Sequence, residues 1–382
     1  MTFKKCFAVL VCVVSCLSVL TSCIKKNVNT NTDVTDAVLT LRDPALVENE
    51  AVQKINAFDM ELPVDIKELN LSNRSISSIS QIAKLTCLEE LDLSGNPDIT
   101  DWSYLYSLEK LKVLKIASNG LTDISFIKYF PDLKELDISG NPINNFDIFI
   151  DNKIIEKLNI SLTGLKNLYY FSSCTSLVEF DCSQNNISDI SDLEYLTRLQ
   201  SLNVSDNTIS DISVLAGLSY LRSLDISSNR VDDISPLYNN IRLTSVKANS
   251  NSISDLNVLN NLPGLKEICF SNNLISDITY LKENSSVVTV DLSNNSISYI
   301  SSLGDMKNIV NLNISKNNVS DISAVRSMKK LSKFIADSNR ISDLSPLYSV
   351  MDISYVSLKN NFVSIDECNK LKTTKNCTVI YE

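Results

Sequence analysis

Paired carboxylates are the residues of this chain whose types and spacing come closest to those of a catalytic site. Three pairs share a two-residue spacing: Glu90 and Asp92, Glu135 and Asp137, and Glu179 and Asp181. Two carboxylates on one surface could act as the acid and the base of a hydrolysis. The same pair recurs at the interval of a sequence repeat, however, which favours a solvated face over a hydrolase site.

Single aspartates form a second acidic series, and calcium binding is the chemistry that they would suggest. They lie at Asp123, Asp189, Asp211, Asp233, Asp255, Asp277, Asp321 and Asp343. Calcium requires several oxygens gathered around one ion, and single carboxylates a full repeat apart do not provide them. Short acidic side chains also bond nearby backbone groups in turns, and we expect that role here.

The remaining composition excludes most enzyme classes. Histidine is absent from all 382 residues, which removes the commonest general base and metal ligand. No glycine-rich phosphate loop is present, and no Ser or Cys has a candidate base partner. With 35 basic against 45 acidic residues, the net charge is −10. No basic stripe suited to nucleic acid is visible. We therefore predict a protein that is not an enzyme and uses neither cofactor nor metal ion.

A 22-residue period organises the chain. Asparagine returns at that interval at Asn119, Asn141, Asn185, Asn207, Asn229, Asn251, Asn273, Asn295, Asn317, Asn339 and Asn361. Asn96 joins the series with one extra residue in its repeat. The surrounding template reads L-x-x-L-x-L-x-x-N-x-I-S-D-I-x-x-L-x-x-L, and 14 copies run from the one containing Leu71 to the one containing Leu358. Apolar residues two apart predict a short strand, and apolar residues about three apart predict a 3₁₀ return.

This template resembles the leucine-rich repeat of internalins over roughly residues 66–371. The resemblance implies an α/β solenoid, a right-handed superhelix of about 14 repeats with a concave parallel sheet and a 3₁₀ or irregular convex side. It also implies that the asparagines bond the buried backbone of neighbouring turns in a ladder. Arg74 and Thr163 interrupt the series. We assign Arg74 to a half-covered end repeat, and expect Thr163 to do part of the work of asparagine.

The first 23 residues resemble a bacterial lipoprotein signal. Lys4 and Lys5 precede an apolar run over residues 6–20, which is followed by Thr21, Ser22 and Cys23. The resemblance implies a signal peptide at residues 1–22 and a lipid, such as palmitate, on Cys23. The protein would then be anchored to a bacterial membrane with its domain outside the cytoplasm, at the outer membrane or cell surface. An ordinary signal peptide is the alternative.

Both ends of the repeat region are expected to carry caps. Residues 23–40 are polar and aperiodic, which predicts a flexible tether. Residues 41–65 resemble the N-terminal helical cap of bacterial leucine-rich repeat proteins, with Asp43 before Pro44 at the helix start and Ile55 and Phe58 on its apolar face. Residues 372–382 are expected to form a C-terminal cap strand.

Cysteines leave one open question. Cys368 and Cys377 near the C-terminus are the pair for which a disulfide is plausible, although the sequence does not determine connectivity. Free thiols at both positions are the alternative.

The concave face is the expected functional surface. Alternate strand residues, from Asn70 to Ser357, should point outward along it. Most are polar. Lys67, Lys112, Lys134 and Lys157 are interleaved with acidic residues, which predicts neutralisation across strands.

Apolar exceptions on this face are the candidate protein-binding residues: Val288, Val310, Ile335 and Tyr355, with Phe362 on the following rim. Exposed apolar and aromatic residues mark interaction sites, but scattered ones also occur without a function. We expect a monomeric, lipid-anchored envelope protein whose concave face binds protein, in adhesion or in contact with a host or partner. The alternative is a structural or periplasmic partner-binding protein of the envelope with no host contact.

Overall fold

The computed structural model describes residues 53–381 and contains 17 strands there, of which 15 form one parallel sheet. The predicted signal peptide, Cys23, the tether and the first part of the N-terminal cap lie outside the described residues. The strands are β1 Lys54–Ala57, β2 Met60–Pro63, β3 Glu68–Asn70, β4 Glu90–Asp92, β5 Val113–Lys115, β6 Glu135–Asp137, β7 Lys157–Asn159, β8 Glu179–Asp181, β9 Ser201–Asn203, β10 Ser223–Asp225, β11 Ser245–Lys247, β12 Glu267–Cys269, β13 Thr289–Asp291, β14 Asn311–Asn313, β15 Lys333–Ile335, β16 Tyr355–Ser357 and β17 Thr378–Ile380. Strands β3 to β17 pair in chain order, which confirms the predicted solenoid.

Each repeat begins with a three-residue strand whose middle residue enters the core. Leu224 of β10 is fully buried and pairs in register with Leu202 and Val246 on the adjacent strands. The flanking residues of the strand point outward because side chains alternate across a sheet. Burial of one such leucine stabilises the fold by about 1.5–3 kcal/mol.

A short 3₁₀ helix returns the chain on the convex side. In one repeat, the Leu215 N–H bonds the Ile212 carbonyl and the Leu218 N–H bonds the Leu215 carbonyl, each at 3.0 Å. The three-residue apolar spacing matches the three residues per turn of this helix. These helices are Ser80–Lys84, Ser103–Leu105, Ser125–Tyr129, Asp147–Phe149, Tyr169–Phe171, Ser191–Tyr195, Ser213–Gly217, Ser235–Asn239, Asn257–Asn261, Thr279–Glu283, Ser301–Asp305, Ser323–Ser327 and Ser345–Ser349.

The N-terminal cap is a β-hairpin over its described part, so the helix predicted there is wrong from residue 54 onward. Strands β1 and β2 pair antiparallel, with Ala57 opposite Met60. Phe58 and Asp59 between them have φ of 54° and 58°, which suits a two-residue turn with left-handed backbone at both positions. Ala57 and Leu62 are buried, since apolar residues alternate here with the period of a strand.

The C-terminal cap contains an α-helix that the template did not predict. Helix α1, Ile365–Lys375, takes the place of the last 3₁₀ turn, and the predicted domain boundary at residue 371 falls inside it. Ser364 Oγ accepts the Glu367 N–H at 3.2 Å and donates to its carboxylate, so the capping-box sequence S-x-x-E forms an N-cap here. Leu371 is buried, whereas Ile365 is 58% exposed. The predicted final strand is confirmed as β17, parallel to β16.

Among residues 53–381, no helix has the length and apolar character needed to cross a membrane.

Candidate binding face

The asparagine ladder is structural, as predicted. Asn207 is representative: its Nδ2 donates to the carbonyls of Cys182 and Val204 at 3.1 Å, and its Oδ1 accepts the Ile187 N–H at 2.9 Å. One amide therefore satisfies buried backbone groups of two repeats. An asparagine occupied in this way is not available to a ligand.

The two interruptions of the ladder behave as predicted. The Thr163 hydroxyl donates to the Ile160 carbonyl at 2.8 Å. It does not serve the Ile143 N–H, which bonds the Asn141 carbonyl at 2.8 Å instead. Arg74 lies in the first repeat and its side chain is exposed.

Convex aspartates hold turns. Each of the eight in the series accepts the N–H of the residue two positions later, as Asp123 does from Ser125 at 2.8 Å. That backbone hydrogen bond is the main reason why the pKa of Asp123 and of Asp343 lies below the ordinary value. Within the described part of the chain, no group of three or more Cys, Asp or Glu side chains could hold a metal ion.

A second series of hydrogen bonds runs along the concave face. We call the last residue of each repeat strand the strand-end residue, and the residue two positions later the shoulder residue. In nine repeats the shoulder N–H donates to the strand-end side chain, as Ser205 does to Asn203 at 3.1 Å. The strand-end residues of these repeats are Asn70, Asp92, Asp137, Asn159, Asp181, Asn203, Asp225, Asp291 and Asn313. This hydrogen bond stabilises the turn in which the residue after each shoulder residue adopts a left-handed backbone conformation.

Five repeats use a different acceptor. Their strand-end residues are Lys115, Lys247, Cys269, Ile335 and Ser357. In each of them the shoulder N–H donates to the side chain of the preceding repeat's shoulder residue: Ala117 to Ser94, Asn249 to Ser227, Ser271 to Asn249, Asp337 to Ser315, and Lys359 to Asp337. These five strand-end side chains are therefore released from holding their own turn.

We call this hydrogen bond from one shoulder residue to the shoulder side chain of the preceding repeat the relay. The relay determines which side chains of the concave face are available to a ligand. Outward position alone does not make a side chain available, because nine of the outward residues hold the backbone. Positions such as Ile335 and Lys247 need no hydrogen-bonding side chain, because the preceding repeat supplies the acceptor. Sequence reasoning missed this distinction, although the compensating Ser, Asn or Asp in the preceding repeat is visible in the sequence.

Charges on the N-terminal half of the concave face neutralise one another, as predicted. Lys67 and Lys112 both contact Glu89, at 2.8 and 2.6 Å. Lys134 contacts Glu156 at 2.7 Å, and Lys157 contacts Glu179 at 2.9 Å. The two lysines lower the pKa of Glu89 to about 2, chiefly through the Lys112 and Lys67 hydrogen bonds. Two of the carboxylate pairs take part in this network, since Glu135 contacts Lys115 at 3.2 Å and Glu179 contacts Lys157.

The candidate binding residues fall into three places. Val288 and Val310 lie side by side just before β13 and β14, joined by a 2.8 Å bond from the Val310 N–H to the Val288 carbonyl. Both are half-buried. Phe362 is 72% exposed but follows ladder residue Asn361, so it lies on the rim and away from the strands.

Ile335 and Tyr355 form the third place. Ile335 ends β15 and Tyr355 begins β16, and both are half-buried. Lys333 pairs with Tyr355 in the sheet and places its Nζ 5.7 Å from the ring centroid. Ile335 also lines a shallow depression of about 340 Å³ with Asn311 and Asn313. Ile335 is thus an apolar residue within a polar depression, while Tyr355 and Lys333 lie at the other end of the same two strands.

The six cysteines within residues 53–381 are all free thiols. Cys174 and Cys182 are buried, and burial raises the pKa of Cys174 to about 12. Cys368 and Cys377 are both buried and both free, so the structure favours the free-thiol alternative over the disulfide. Each packs as an apolar residue in the core.

Comparison with solved structures decides the family. An internalin (inlF) from Listeria monocytogenes is 30% identical, over 81% of this chain and 91% of that one, with a TM-score of 0.72. The chain belongs to the internalin family of leucine-rich repeat proteins. A family model described as leucine-rich repeats (2 copies) matches residues 65–107, 109–151 and 197–239 of this internalin-family chain. No curated protein matches it in sequence.

More distant structures share the fold alone. A leucine-rich repeat protein of Leptospira interrogans is 19% identical, over 84% of this chain and 96% of its own, with a TM-score of 0.69. The plant peptide hormone receptor RGFR1, in complex with RGF2, is 19% identical, over 75% of this chain and 50% of the receptor, with a TM-score of 0.62. These two structures thus share the solenoid fold of the internalin-family chain.

Proposed function

We propose that this chain is a lipid-anchored protein of the bacterial envelope whose concave face binds a protein partner. The observation that carries the binding role is Ile335, a half-exposed apolar residue in a depression that is also lined by Asn311, Asn313 and Lys333. Ile335 occupies a strand-end position released by the Ser315 relay. Its side chain is thus free of any role in the turn, and an accessible apolar side chain with a polar border suits the centre of a binding site.

The absence of an active site among the described residues favours binding over catalysis. The paired lysines and glutamates of the N-terminal half are satisfied within the chain. The plant receptor's peptide complex illustrates binding by a related solenoid and supports the proposal only by analogy of fold.

The anchor is proposed from the sequence at Cys23. Labelling with a palmitate analogue should mark the wild-type protein and leave Cys23→Ser unmarked. Equal labelling of both variants would show that this cysteine does not carry the lipid.

The binding role is tested by partner capture with the full chain and two lysine substitutions. We expect Ile335→Lys to abolish capture of a partner, while Tyr238→Lys on the convex side retains it. Capture that is unchanged by Ile335→Lys, with the fold intact by circular dichroism, would remove this residue from the site. Protease treatment of intact cells then separates the two locations: degradation supports a surface adhesin, and resistance supports an envelope partner without host contact.

A further inference from the structure

An unneutralised basic edge lies where the strands of the central repeats begin. Arg222 and Lys266 are exposed and immediately precede β10 and β12. The Thr244 N–H bonds the Arg222 carbonyl, and the Lys266 N–H bonds the Thr244 carbonyl, each at 2.8 Å. The two cations therefore occupy equivalent positions before β10 and β12, which are separated by β11.

These cations differ from the equivalent lysines near the N-terminus. Lys67, Lys112 and Lys134 hold this position in earlier repeats, and each contacts a glutamate. Across residues 53–381, neither Arg222 nor Lys266 takes part in any of the salt bridges.

The carboxylate next to Lys266 in the sequence, that of Glu267, already has partners. Glu267 lies 3.9 Å from Lys247 and accepts the Ser245 hydroxyl at 2.7 Å. Further out, Arg242 is stacked 4.3 Å above the Tyr220 ring, which holds a third positive charge at the same edge. In a chain of net charge −10, this concentration of free cations is a local reversal of sign.

Apolar residues continue the same row. The Val288 N–H bonds the Lys266 carbonyl at 2.8 Å, and Val310 follows Val288 in the same way. The row thus reads cation, Thr244, cation, valine, valine, one residue per strand. A ligand lying along it would meet two positive charges and then an apolar surface.

We propose that this row binds an extended acidic peptide that carries apolar residues after its acidic ones. Neighbouring strands are about 4.8 Å apart, and a peptide extended as polyproline II rises about 3.1 Å per residue with three residues per turn. Arg222 and Lys266 are two strand spacings apart, which matches about three peptide residues, so acids at positions i and i+3 lie on one face of such a peptide and meet both cations. The valines fall about two to three residues further on. This inference rests on the proposed protein-binding function and specifies its partner.

A polyanion without apolar groups is the competing ligand. Phosphate or sulfate polymers would satisfy the cations but leave Val288 and Val310 in contact with charged groups or water. Apolar surface beside the charges favours a peptide, because burial of both valines adds to the attraction.

The test uses the full chain and fluorescent 12-residue peptides with a Gly/Ser background. The first peptide has Asp at positions 4 and 7 and Leu at 9 and 10; the second replaces Asp with Lys, and the third replaces Leu with Ser. We expect the first to bind at least tenfold more tightly than either other peptide. The double variant Arg222→Glu/Lys266→Glu should weaken it at least tenfold, while Lys282→Glu on an exposed convex turn changes it less than twofold.

Each other outcome overturns the inference. Failure of the first peptide to bind, or binding that is unaffected by the double variant, removes the acidic-peptide site. Equal binding of the third peptide, with displacement by polyphosphate, assigns the edge to polyanions. Melting temperatures of the variants establish that they fold. If partner capture still depends on Ile335 while peptide affinity is the same in wild type and in Arg222→Glu/Lys266→Glu, the proposed function stands and only this inference fails.

Discussion

The Ser315 Oγ accepts a 3.2 Å hydrogen bond from the backbone N–H of Asp337, one repeat further along the chain. In most repeats that N–H would be held by the strand-end side chain, which here is Ile335. A polar residue in one repeat thus permits an apolar residue on the binding face of the next. The relay links a structural requirement to the positions at which the concave face can diversify.

Ser315→Ala should lower the free energy of unfolding by about 1 kcal/mol, because the half-buried Asp337 N–H loses its acceptor. Ser293→Ala is the matched control. Its hydroxyl donates to Asp291, while the next shoulder residue, Ser315, bonds Asn313. Urea denaturation of both variants measures the difference. Equal losses of unfolding free energy would show that the bond from the Asp337 N–H to Ser315 does not stabilise the protein.

Leu162→Asn should stabilise the protein by about 0.5–1 kcal/mol, because leucine is disfavoured in left-handed backbone and asparagine tolerates it. Leu162 has φ of 54° and is 58% exposed. Leu274 is similarly exposed, at 62%, and lies outside the left-handed region. Thermal melting should therefore show a gain for Leu162→Asn alone. A similar gain in Leu274→Asn would assign the effect to loss of exposed apolar surface.

Glu89 should make the stability pH-dependent in the acid range. Its pKa falls from the ordinary value of 4.5 to about 2 in the folded chain. A carboxylate with a lowered folded pKa contributes stability above the unfolded value, and that contribution is lost as the pH falls through the folded value. Glu89→Gln should therefore differ from wild type above about pH 4.5 and converge with it towards pH 2. Repeating the melts in 1 M salt should shrink the difference, since the pairs are exposed; a pH-independent difference would contradict the assignment.

Cys368 and Cys377 are expected to remain thiols. Intact mass of the purified protein, with and without reductant under denaturing conditions, should be the same. A gain of about two mass units on reduction would show that a disulfide forms between them.

The sequence was sufficient for the repeating part of the fold. The 22-residue period predicted the strand, the asparagine ladder and the convex turn, because every repeat solves the same packing problem. It was insufficient at both ends, where the template stops. There, local signals decided: the Ser364 and Glu367 capping box specifies α1, and alternating apolar residues around Phe58 and Asp59 specify the hairpin.

The candidate site was only partly predictable. Strand periodicity correctly placed Ile335 and Tyr355 at outward positions, but it placed Asp225 on equal terms with them. The difference is a hydrogen bond: Asp225 accepts the Ser227 N–H at 2.9 Å, and Ile335 accepts none. Availability to a partner depends on contacts between repeats, which a template for one repeat does not contain.

Affinity for the captured partner, measured with Ile335→Lys beside Tyr238→Lys, tests the central claim most directly. Both substitutions place a lysine at a partly or fully exposed apolar side chain, one on the concave face and one on the convex side. We predict at least a tenfold loss of affinity for Ile335→Lys and less than a twofold change for Tyr238→Lys. Equal affinities for Ile335→Lys and wild type, or a loss confined to Tyr238→Lys, would contradict binding by the concave face.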